Sequence, residues 1–117
     1  MSRRILFVLA LPLLLTAQAP APSTANCRDD LIKADQGIHR TRSALHKAQG
    51  AAPAVQCTAY RQHVASLNVV KNVFARCDAG ANKAKNAATT GAAIAELSKQ
   101  MQGVCGTAQK AAPKKQP

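Results

Sequence analysis

NCRDDLIKADQGIHRTRSALHKAQGAAPAVQCTAYRQHVASLNVVKNVFARC, residues 26–77, is the stretch that decides the fold. Cys27, Leu31, Ala34, Ile38, Thr41, Leu45 and Ala48 step by 4, 3, 4, 3, 4 and 3, a complete apolar seam of a helix. Arg28, Lys33, Asp35, Arg40, Arg42 and Lys47 stand off that seam. Asn26 is placed to cap the helix, with Asp29 and Asp30 in the first turn, where the helix dipole favours acids. Gly50-Ala51-Ala52-Pro53 ends it, because glycine relieves a helix C-terminus and proline cannot continue one. A second helix follows over residues 54–77. Tyr60, Val64, Leu67, Val70, Phe74 and Cys77 form its seam, and Val69 and Val73 widen it, as suits a middle helix with two neighbours.

Downstream, Asp78-Ala79-Gly80 is a stop, with Gly80 suited to a left-handed cap. A third helix is expected over residues 81–104. Its first half is small (Ala84, Ala87, Ala88, Gly91, Ala92) and its second half larger (Ile94, Leu97, Met101, Val104). Thr89, Thr90 and Gly91 weaken it locally, the glycine by about 1 kcal/mol. The small residues at 84, 87, 88 and 91 would permit close approach to Val70, Val73 and Phe74. From Gly106 the chain reads as a disordered basic tail, 106–117, carrying Lys110, Lys114 and Lys115.

Upstream, residues 1–25 read as a secretory signal. Arg3 and Arg4 are its basic start, and Ile5–Leu15 is an apolar run of eleven residues. Eleven residues rise only about 17 Å as a helix, short of a bilayer core of about 30 Å. Cleavage after Ala25 suits the small residues Ser23-Thr24-Ala25 better than cleavage after Ala19, which would put Pro20 first. The expected location is the periplasm or the medium, with no transmembrane segment once the signal is removed. There the four cysteines oxidise.

Four cysteines allow three pairings. Cys57 and Cys77 lie about 30 Å apart on one helix, whereas a disulfide needs Cα atoms within about 7 Å. Cys27 and Cys57 start consecutive antiparallel helices and so fall at opposite ends. Cys27–Cys77 with Cys57–Cys105 survives. Their sequence midpoints, 52 and 81, fall in the two expected turns. The expected fold is therefore all-α: a small antiparallel three-helix bundle over residues 26–105, made of two overlapping helical hairpins and stapled by two disulfides. Each staple closes a loop whose entropy is worth about 4 kcal/mol. A chain of this size buries only about 60% of its unfolded surface, so such staples have a physical purpose.

The composition narrows the function classes. Lys and Arg number 16 against 5 Asp and Glu, a net charge of +11. Without Arg3 and Arg4 the exported chain carries about +9. A basic exported protein meets acidic proteins, anionic lipids and polysaccharides. Arg40, Arg42, Lys47, Arg61, Lys71, Arg76, Lys83 and Lys85 are the candidate anion-binding residues. Aromatics are only 3% of the chain, too few to stack bases, so nucleic acid would be held through phosphates without sequence preference. Ser43, Ser66 and Ser98 lie inside expected helices without a G-x-S-x-G turn, and no paired carboxylates or C-x-x-C occur. The reading is a non-enzymatic binding or structural module without a cofactor. The alternative is a copper- or zinc-binding protein using His39, His46 or His63. Reflection through residue 52 sets His63 opposite residue 41, two positions from His39. The apolar seam would also serve a dimer.

Overall fold

A computed structural model of the chain describes residues 24–112, and all of its elements are helices. The signal reading of residues 1–23 and Lys114 and Lys115 of the basic tail lie outside the described residues. Helix α1 spans Thr24–Ala48, α2 Pro53–Cys77 and α3 Gly80–Ala111. No described helix is long and apolar enough to cross a membrane.

The first turn is made as its residues dictate. Gly50 takes φ +81°, a left-handed conformation in which a Cβ is disfavoured. The Ala51 N–H then donates to the Ala48 carbonyl at 3.0 Å, and the Gln49 N–H to His46 at 3.2 Å. Pro53 opens α2, where its missing N–H costs nothing and its fixed φ is already helical. From α2, the Gln56 side-chain amide reaches back to the Ala51 carbonyl at 2.7 Å and ties the turn to the helix it starts.

The second turn is tighter. Asp78 leaves α2 in extended conformation, and its N–H donates to the Phe74 carbonyl at 2.9 Å. Asn86, two turns into α3, donates to the Asp78 carboxylate at 2.8 Å. Gly80 has φ +60°, as its position in the stop signal implies, but it opens α3 rather than closing α2.

Two boundaries differ from expectation. Helix α1 begins at Thr24, two residues before the anticipated domain start, so Asn26 sits inside the first turn and Asp29 and Asp30 beyond it. Helix α3 does not stop at Val104: residues 106–111 continue it, and the expected disordered tail is helical to Ala111. One glycine costs a helix only about 1 kcal/mol, and the Cys105 anchor holds the segment in register. The stop is set by Pro113, which forces the residue before it out of the helical region. Ala112 accordingly has ψ 136°.

The staples are Cys27–Cys77 and Cys57–Cys105, with Cα–Cα distances of 5.5 and 4.9 Å. The three helices are thus antiparallel in sequence and form the disulfide-stapled bundle that the cysteine spacing implies. Helix α2 packs against both α1 and α3, while α1 and α3 bring no Cα atoms within 8 Å of each other. The bundle is therefore open between its outer helices. Its buried apolar residues are small: Ala34, Ala48, Ala59, Val73 and the staple cysteines Cys57 and Cys105. No large side chain among the described residues is fully buried. Helix α3 does pack along α2, but not through the whole small-residue stripe expected to make the contact: Ala84, Ala87 and Ala88 are exposed, Gly91 is half-buried and Thr90 is buried. One methyl per alanine removes little area from water, so leaving these three exposed costs little.

Candidate functional site: a basic surface with two clefts

With so little interior, the chemistry of this protein lies on its surface. Arg28, Lys33, Arg40, Arg42 and Lys47 on α1, Arg61, Lys71 and Arg76 on α2, and Lys83, Lys85, Lys99 and Lys110 on α3 are all exposed. Among the described Lys and Arg residues only Arg76 meets a carboxylate, Asp30, at 3.0 Å. That pair bridges the start of α1 and the end of α2 beside Cys27–Cys77. Both partners are partly solvated, so the bridge contributes little stability. Asp78 and Glu96 instead accept hydrogen bonds from the amides of Asn86 and Gln100. Four of the five acids thus have local partners, and among the described residues no Lys or Arg other than Arg76 forms an ion pair. Lys33, Arg40 and Lys47 recur every seven residues, which sets them along one side of α1.

The basic candidates do not converge on one point. They are spread over three helices, as periodicity implies. Two open clefts lie along the α1–α2 hairpin instead. One, of about 590 Å³, sits near the Gly50 turn and is lined by Lys47 among mostly alanine methyls. The other, of about 400 Å³, lies between Leu31, Ala34 and Ile38 of α1 and Leu67, Val70 and Phe74 of α2, with Asp35 on its edge. Sequence reasoning found neither, because periodicity shows which residues face a neighbour and not how completely they fill the space.

The histidines part company. His39 is exposed, with Nε2 3.5 Å from the Asp35 carboxylate one turn earlier. His46 is exposed in the last turn of α1. His63 is buried, 6% exposed, and its Nδ1 lies 2.8 Å from Thr41 Oγ1. The reflection that sets residue 41 opposite His63 therefore holds, and the partner is Thr41 itself rather than His39. Thr41 Oγ1 also lies 3.0 Å from the Gly37 carbonyl. A hydroxyl with its proton on Gly37 accepts from Nδ1–H, and one with its proton on Nδ1 requires the other tautomer. Among the described residues no three His, Cys, Asp or Glu side chains gather into a metal site, and all four cysteines are in disulfides.

Burial, and secondarily the charge of Arg42, lowers the His63 pKa below 6.5. The unfolded chain then binds the proton more readily than the folded one. The stability contributed by neutral His63 is complete above pH 6.5 and is lost as the pH falls from there through the lowered value. One proton limits the slope to about 1.4 kcal/mol per pH unit. Urea unfolding across that window should show His63→Gln flattening the dependence. An unchanged slope in the variant would assign it to other groups.

The two intramolecular disulfides point to an oxidising compartment, extracellular or periplasmic. No protein-family model, no curated protein and no solved structure matches this chain.

Proposed function

We propose that this chain is a non-enzymatic, exported binding module whose basic helical surface engages an anionic polymer or an acidic partner of the cell envelope. The observation that carries this reading is the set of exposed Lys and Arg side chains on all three helices, of which only Arg76 meets a carboxylate. The amino-terminal signal pattern, Arg3-Arg4 followed by Ile5–Leu15, supports export to the periplasm or medium. A scaffold stapled at both ends presents its charges in fixed positions, so less ordering entropy is lost on binding. The cations lie on convex helix surfaces rather than in an enclosed pocket, which suits an extended polyanion.

Inorganic polyphosphate is a direct probe. Its affinity should fall roughly 100-fold or more for each tenfold rise in salt, because three or more phosphate contacts release their counterions. Arg40→Glu with Lys83→Glu should lower both the affinity and the salt slope, since each removes a contact on a different helix. Binding that is flat from low to high salt, or absent at low salt, would overturn the proposal.

A further inference from the structure

The larger cleft offers more than charge. Its volume of about 590 Å³ falls within the roughly 300–1,000 Å³ of small-ligand sites. Ala44 and Ala48 of α1 face Ala54, Val55 and Ala59 of α2 across it. Ala48 and Ala59, each 5% exposed, form the floor, while Val55 is 53% exposed at the margin. Methyl-sized side chains at four of these five positions leave the space open. Lys47, Thr58 and Gln62 complete the lining, and no carboxylate takes part. Lys47 is exposed and ends the row begun by Lys33 and Arg40, so the approach to the cleft is positive.

An apolar floor with an ammonium at its margin matches one chemistry. We propose that this cleft binds a free single-chain anionic amphiphile, its alkyl chain laid along the alanine floor and its anionic head against Lys47. A second copy of the chain is a poorer occupant. A two-fold contact here would set Lys47 towards Lys47 in a protein of charge +11. The neighbouring cleft is a poorer site for the same ligand, because Asp35 stands at its edge. The inference goes beyond the polyanion reading, since of the basic surface it needs Lys47 alone.

Dodecanoate below its micelle concentration is the probe, titrated into the oxidised exported protein and followed by methyl NMR. The expected result is one saturable site, with shifts centred on Ala44, Ala48, Ala54, Val55 and Ala59. Decanoate should bind about tenfold more weakly, because two methylenes fewer leave the water. Dodecyltrimethylammonium should bind roughly two- to fivefold more weakly, as should dodecanoate to Lys47→Glu, the range of an exposed ion pair. Ala54→Leu fills part of the cleft and should weaken dodecanoate while leaving polyphosphate binding in place. Equal binding of the anionic and cationic amphiphiles, uptake without saturation, or shifts centred on Leu67 and Phe74 would overturn the proposal. Polyphosphate binding is read separately: its absence overturns the surface reading, and the absence of dodecanoate binding overturns this one.

Discussion

Reduction of the two disulfides is expected to abolish cooperative folding of this protein. In the chain-entropy account, loops closed by residues 50 and 48 apart each contribute about 4 kcal/mol. A chain with some 90 folded residues has a total stability of only about 5–13 kcal/mol. The apolar interior offers little compensation, since its buried residues are three alanines, one valine and two of the bridging cysteines themselves. Thermal unfolding by circular dichroism should therefore show a sharp transition for the oxidised protein and a broad, shallow one in dithiothreitol. Cys27→Ala with Cys77→Ala should lower Tm by roughly 15–30 °C, from about 4–8 °C per kcal/mol in a domain this small. Cys57→Ala with Cys105→Ala should cost more, because these two cysteines are buried as well as bonded and their bridge is the covalent tie between α3 and α2. A reduced protein that melts cooperatively within about 5 °C of the oxidised one would show that helix packing suffices.

Val73→Asp should be the most damaging single substitution outside the cysteines. Val73 is 4% exposed, the most buried apolar side chain of α2. A carboxylate there would be buried without a cation or donor provided for it, at a cost of about 3 kcal/mol or more. Val69 lies one turn earlier and is 53% exposed. Val69→Asp should change stability by less than about 0.5 kcal/mol. Urea denaturation of the two variants makes the comparison with the same chemistry on the same helix. Equal losses would overturn the assignment of Val73 to the interior and Val69 to the surface of α2.

That pair of valines marks where sequence reasoning reaches its limit. Both were legible as widening the apolar face of the middle helix, and periodicity alone treats them alike. Which one is covered depends on the angle at which α1 and α3 meet α2, and no local pattern encodes that angle. The same limit explains Ala84, Ala87 and Ala88. Their spacing suits close packing, yet a stripe of methyls exerts little force of its own, and they remain exposed. The end of α3 was misplaced for a related reason: Gly106 looks like a stop in isolation, but a bonded cysteine one residue earlier outweighs a single glycine.

Of the candidate surface, the identity of the cations was legible in full, because charged side chains on an amphipathic helix face outward. The Gln100–Glu96 bond is an i,i+4 pair that helical spacing carries, whereas the Asn86–Asp78 bond was not legible, since it depends on how the turn sets Asp78 against α3. For His63 the register supplied the right position, and only packing showed that the residue opposite it was a bonding partner.

The sequence by itself determined three helices, two turns and one pairing of four cysteines. Each rests on a covalent or one-dimensional constraint: a 3.6-residue period, a proline or glycine that breaks it, and the short reach of a disulfide. Only the tertiary structure decided that the outer helices stand apart, that the interior is built of alanines, and that clefts with different rims flank the α1–α2 hairpin. Those features arise from how incompletely small side chains fill the space between rigid cylinders. That is a property of volumes in three dimensions, which residue spacing along one dimension does not carry.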